Sequence, residues 1–523
     1  MACELRIRAS TDVPGTFLKM LLALMSVCAS LAFPPDFVSA QSTMPSAPGA
    51  LAGGYMRLGQ MYAEGTAVQR DLEKALLYYR RAQQAGSDEA QMALNMLPYK
   101  VEGTGLDKRE ALAGLRELAA RGKVSALLLL AEIYAGSYGD EPDPEQALAS
   151  LREAADRGNI DAMMQIGDYY RKGEIVPYDA LKAVAAYGRA ESAGSRAATE
   201  QLVVFQAYGE GMARDAAAAM ARLEAAEPGS GPSALVTEGD LRLKAGIPAI
   251  DVAGALEAWT KAADQGRIDA MIRLGDFYLN GFFARQERKK ALAYYQAAAN
   301  TGDLYGRLAL AKAQLTQDGT AEDGLRQLEA LAENGFDEAG VTIANAHLRG
   351  TGVPKNVEVG LRRLESMAET GSILARLRLV EIYRSGLEDG HGRLVRANAA
   401  RAGAILKEIG PSIGSSLWLY HNLLLEASTG KAGDTTQLLR KLEALPISIR
   451  HRLFKELRVD LPDLYFDLIQ LKLVDAGYLA ADQDGWKPTI RAMMTYCRDR
   501  GVGDVCASGP FAPRTAEALQ ALL

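Results

Sequence analysis

Glycine recurs at a fixed interval through most of this chain. Gly86, Gly122, Gly158 and Gly194 each fall 36 residues after the last. Gly266 lies 72 residues, or two intervals, beyond Gly194, and Gly302 is 36 further on. The step from Gly302 to Gly335 is short, at 33 residues, and Gly371 restores the interval of 36. A period of this size signals stacked supersecondary units, none of which can bury its apolar face alone. It excludes a fold wrapped around one central core. The 523 residues therefore need no division into several globular domains, because their length comes from repetition.

Each interval has the same internal layout. Leu58, Gly59 and Tyr62 share one helix face, and Gly65 follows as a stop. Asp71 is placed to cap a second helix, on which Ala75, Tyr78, Tyr79 and Ala82 form the buried face before Gly86. The layout returns as Ile166, Gly167, Tyr170 and Gly173, then Ala183, Tyr187, Ala190 and Gly194. It returns again as Leu274, Gly275, Tyr278 and Gly281, then Ala291, Tyr294, Tyr295, Ala298 and Gly302. Small residues at the crossing points let two helix backbones approach, and the tyrosines fill the wedge between them. Helices of this length are marginal alone and must be stabilised by neighbours.

The pattern Leu-Gly-x-x-Tyr-x-x-Gly followed by Lys-Ala-x-x-Tyr-Tyr-x-x-Ala resembles the Sel1-like repeat, a relative of the tetratricopeptide class. Residues 58–90 and 274–302 carry it best; 162–198 and 343–375 carry it well. The resemblance implies an all-α fold: a right-handed α-solenoid of about ten helix–turn–helix repeats over 55–431, with a small helical region over 432–523. It also implies protein partners bound on a concave surface. The repeat grammar is weak around 202–232 and 304–335, and Glu227 to Pro232 reads as a segment that bends or divides the array.

Residues 1–40 read as a secretion signal. Arg6, Arg8 and Lys19 precede an apolar run from Phe17 to Phe33, and Val38-Ser39-Ala40 supplies small residues for cleavage before Gln41. A retained membrane anchor is the alternative, though Ser26 and Ser30 interrupt the run. A lipoprotein processed at Cys28 is a further one, with Val27 a poor fit to that processing. Residues 41–54 form a flexible leader rich in small residues. The expected location is the periplasm.

Cleavage would leave two cysteines, Cys497 and Cys506. In an oxidising compartment such a pair is expected to form one disulfide. Two free thiols, or half of a metal site, are the alternatives; none of His347, His391, His421 or His451 is near in sequence. The region around the pair has its own pattern. A helix from Leu464 leads to Gly477-Tyr478, Asp484-Gly485-Trp486 makes a turn, and Thr489, Ala492, Met493 and Tyr496 follow at helical spacing. This resembles the small three-helix peptidoglycan-binding-like module, with a loop two residues shorter. Gly509, Phe511, Pro513 and Thr515 make a second partial match. The resemblance implies binding of peptidoglycan; a plain helical cap on the repeat stack is the other reading.

No motif for nucleophilic, metal or phosphate chemistry is present. With four histidines and a net charge of -6, a His-based enzyme or a nucleic-acid binder is not expected. No catalytic residue, cofactor or metal is assigned. Phe282 and Phe283, which follow a repeat glycine where polar residues usually stand, are candidate partner contacts, together with Trp418 and Trp486; Trp259 stands at a helix position held elsewhere by Tyr and reads as core. The expected function is a non-catalytic periplasmic scaffold for a cell-envelope or exopolysaccharide (alginate-like) assembly, binding envelope proteins, with peptidoglycan or exopolysaccharide as a further candidate partner. A periplasmic regulator of a membrane sensor and a peptidoglycan-binding envelope protein are the alternatives.

Overall fold

The structure, a computed structural model, describes residues 48–522 apart from 102, 227–230, 245–249, 318, 390–391, 431–436, 438–440 and 443–444. The export signal, most of the leader and the core of the 227–232 segment lie outside the described residues. Among those described, no helix is long and apolar enough to cross a membrane. The chain divides into two units, 1–106 and 107–523.

The first unit contains the helices Pro48–Glu64, Leu72–Gln84 and Asp88–Lys100. The second opens with Lys108–Ala120 and continues as eight helix pairs from Val124 to Ile409, each a helix A followed by a helix B. Their A helices start at Val124, Ile160, Arg196, Pro232, Ile268 and Leu304, at steps of 36, then at Asp337 and Ile373. The fold is an all-α solenoid. The weak-grammar units are complete pairs, Arg196–Tyr208 with Ala216–Ala226 and Leu304–Leu315 with Ala321–Glu333. They lose consensus residues but keep an apolar face: Leu202, Val203 and Phe205 are buried in one, and Leu308, Leu328 and Leu331 in the other.

Capping fixes the register. Asp71, Asp107, Asp143, Asp179, Asp215 and Asp251 stand 36 residues apart, and each accepts a backbone N–H in the first turn of a B helix. At the other end the repeat glycines supply the left-handed residue after the helix. Gly86 has φ 88°, and Ser87 N donates back to the carbonyl of Ala82 at 3.0 Å. The short step of 33 combines a shorter connection, 316–320 instead of a segment such as 173–179, with an A helix, Leu304–Leu315, of 12 residues where Ile268–Asn280 has 13. The connection before Ala399–Ile409 is longer and carries an antiparallel strand pair, Leu387–Asp389 and Gly392–Val395.

The helices after Ser415 bury their apolar faces partly against one another, as where the Phe454 and Tyr465 rings meet at 4.7 Å, and partly against the repeats. Tyr420, Phe454, Tyr465 and Tyr496 share one core with Trp259, Leu274 and Phe277 of the repeats. The described C-terminal helices are thereby part of the same packed body as the helices Pro232–Lys244, Val252–Asp264 and Ile268–Asn280.

Candidate binding groove

Four A helices meet their B partners through one arrangement. Each carries a glycine 20 residues before a B-helix aromatic: Gly59 with Tyr79, Gly167 with Tyr187, Gly239 with Trp259, and Gly275 with Tyr295. A Cβ on Gly275 would lie 2.4 Å from the Tyr295 ring, so the ring takes the space a side chain would need. The next residue receives the hydroxyl. Tyr295 donates to Asp276 at 2.6 Å, and Tyr187 to Asp168 at 2.8 Å. Burial first, and then the Asp276 charge, holds the Tyr295 hydroxyl protonated well above the usual range. Trp259 has no hydroxyl to offer Asp240. That carboxylate instead takes a two-pronged contact from Arg273 of the next A helix, at 2.7 and 2.8 Å. Trp259 is buried, as its repeat position implies.

In front of Tyr295 lies a groove of about 900 Å³ between the A helices Ile268–Asn280 and Leu304–Leu315. Ile272, Leu279, Leu308 and Ala309 give it apolar walls, and the exposed Tyr305 stands among its lining residues. The charged residues along it are mostly committed. Arg267 pairs with Asp269 at 3.0 Å, Arg273 with Asp240, Asp276 with Tyr295, and Asp303 caps the Gly306 N–H. Lys312 is the exception: it makes no hydrogen bond or ion pair with a described residue.

The other edge of the stack is covered. Four successive A–B connections each receive a bond from the C-terminal helices or donate one to them. Gly173 O accepts from Ser415 N at 2.8 Å and Ser415 Oγ at 2.7 Å. The Glu210 carboxylate accepts from Ile447 N at 2.9 Å, Arg450 Nη2 at 2.8 Å and Tyr178 Oη at 2.9 Å, and is itself buried. Ile250 N donates to Arg500 O at 3.0 Å, and Arg514 Nε to Phe282 O at 2.8 Å.

This docking decides where the candidate contacts lie. Phe282 and Phe283 are half-buried, not presented to solvent, because their connection is one of the four that hold the C-terminal helices. They line a cavity of about 210 Å³ with Trp259, Phe277 and the Lys455–Glu517 pair. Trp418, 41% exposed, packs on Gly410 beside a hollow lined by Glu174, Lys407 and Asn422. Trp486, 55% exposed, stacks on Phe466 at 4.2 Å. The four residues thus occupy three separate places. Cys497 and Cys506 are bonded and fully buried. Glu210 and Lys312 had no signal in the sequence, since a charged residue in a loop or on a helix ordinarily reads as solvated.

Five segments, 52–87, 124–159, 160–195, 268–303 and 343–369, match the family model of the Sel1 repeat. The chain carries Sel1 repeats at these five positions. The segment 124–159 belongs to the family although Ala131 stands where its neighbours carry the crossing glycine. Among solved structures, a Sel1-repeat protein from Oxalobacter formigenes is 20% identical, with 73% of this chain and 98% of that chain covered and a TM-score of 0.40. A protective antigen of uropathogenic Escherichia coli strains displaying an SLR fold, c5321, is 21% identical, with 83% and 96% covered and a TM-score of 0.28. No curated protein matches the chain. Sel1-repeat proteins are protein-interaction scaffolds, and this chain has an apolar groove of a size to seat a partner segment.

Proposed function

We propose that this chain is an exported, non-catalytic scaffold that gathers proteins of a cell-envelope or exopolysaccharide assembly. The groove between Ile268–Asn280 and Leu304–Leu315 carries the reading: it is apolar, open, and lined by residues whose charges are largely satisfied within the fold. A partner docking there buries apolar surface without breaking existing pairs. The export signal read over 1–40 and a disulfide among few cysteines support the periplasm. The test is crosslinking in intact cells, followed by capture of the chain from membranes. Defined envelope proteins should be recovered with the wild type and lost with Ala309→Trp, which fills the groove. Equal recovery with both would remove the groove from the reading. An envelope-stress transcriptional change without an assembly defect would favour a regulator instead.

A second reading, peptidoglycan binding, rests on Trp486, whose exposed ring stacked on Phe466 is a platform a sugar ring can cover. Cosedimentation of the full chain with sacculi, lost in Trp486→Ala, is the outcome this reading requires.

A further inference from the structure

We propose that the groove takes a partner segment presenting a carboxylate to Lys312, flanked by apolar side chains that seat against Ile272, Leu279 and Leu308. The inference rests on the scaffold reading and names the chemistry of the partner.

Charge bookkeeping along the groove leads to it. Arg267, Arg273 and Lys312 are its cations; Asp269, Asp276 and Asp303 are its anions. Arg267 is satisfied by Asp269, and Arg273 by Asp240 in a fork geometry. Asp276 is held by the Tyr295 hydroxyl, and Asp303 by the Gly306 N–H. Lys312 alone among these cations has no partner among the described residues. Asp276 and Glu338 act on it only through their fields. Its surroundings also disfavour the charge: the protein mass around it, more than those two carboxylates offset, lowers its pKa below the usual lysine value. An ammonium without an acceptor beside apolar walls is where an incoming carboxylate gains most, because the docking segment that covers the walls also shields the new pair from water. The apolar walls demand the rest. A free small acid would leave Ile272, Leu279 and Leu308 wet, whereas a peptide segment covers both features together.

The probe is a phage-displayed random 12-mer peptide library, selected on the purified full chain and on Lys312→Glu. The wild type should enrich peptides that combine Asp or Glu with apolar residues. These should bind Lys312→Glu at least about tenfold more weakly and Lys312→Met with an intermediate loss. Lys312→Glu should enrich Lys or Arg instead. Lys312 is exposed, so both variants should melt like the wild type. Peptides blocked by Ala309→Trp but indifferent to Lys312→Glu would overturn the carboxylate assignment and leave the scaffold groove standing. If Ala309→Trp blocks no selected peptide, the groove itself is not the binding site, and both readings fall.

Discussion

The Tyr295 hydroxyl reaches Asp276 at 2.6 Å only because Gly275, one residue earlier, has no side chain under the ring. Gly275→Ala should therefore cost more than losing the hydrogen bond itself. A methyl 2.4 Å from the ring must push Tyr295 aside, an overpacking penalty of about 1–3 kcal/mol. Tyr295→Phe keeps the packing and should cost about 0.5–1.5 kcal/mol, with more if Asp276 is left dry. Chemical denaturation of both variants checks the order; a cheaper alanine would mean that the ring is not locked by its glycine.

Glu210 gathers three donors from two parts of the chain, and it is buried where the C-terminal helices meet the repeats. Glu210→Ala removes the buried carboxylate on which the Arg450 guanidinium and the Ile447 N–H converge. Breaking such a buried pair costs about 3–5 kcal/mol. The loss should be local. Hydrogen exchange in Ile447–Asp460 should accelerate by about 10²–10³-fold, while Ile268–Asn280 changes little. Uniform acceleration through both helices would show that the C-terminal helices do not open separately.

How much of this was legible differs by distance along the chain. Gly275 and Tyr295 are 20 residues apart, and the period repeats the same pair at Gly167 and Tyr187, so periodicity alone points to their contact. The aspartate caps obey the same period; Asp71 sufficed to see one, and the series confirms the rest. Glu210 and Ile447 are 237 residues apart and belong to different patterns. An apolar stripe on the helix Ile447–Asp460 tells that a face is buried, not what covers it. For the same reason Phe282 and Phe283 read as solvent-facing: a loop position carries no sign that another part of the chain will dock on it.

The bond between Cys497 and Cys506 closes a loop of nine residues' separation, for which the chain-entropy estimate is about 2–3 kcal/mol. Both sulfurs are fully buried within the core shared with the repeats. A reductant should therefore reach them only when the helix Trp486–Asp499 opens. Dithiothreitol should leave the folded protein oxidised for much longer than the protein in denaturant, as followed by thiol labelling. The double variant Cys497→Ala, Cys506→Ala should fold but unfold at lower denaturant. Rapid reduction of the native protein would place the bond at a flexible surface instead.

His421 predicts an acid-sensitive window distinct from that of the carboxylates. Its ring is fully buried, neither nitrogen has a hydrogen-bond partner among the described residues, and the Tyr420 ring lies 4.7 Å away. Burial, and then the charges of Arg452 and Arg384, push its pKa down from 6.5 to about 3. The folded state thus holds a neutral imidazole over the range where the unfolded chain takes up a proton. The stability this contributes is complete above pH 6.5 and is lost as the pH falls toward 3. At about 1.4 kcal/mol for each pH unit, about 2 kcal/mol should vanish between pH 6.5 and 5. The caps Asp107 and Asp251 cannot produce that slope. Their backbone N–H bonds hold their pKa below 3.8, so they matter only in stronger acid. His421→Leu keeps an apolar filling of the site and removes the titrating group. Urea unfolding at pH 7.5, 6 and 5 should show a falling midpoint for the wild type and a nearly level one for the variant. A level wild-type profile would mean that the imidazole gains a partner when protonated.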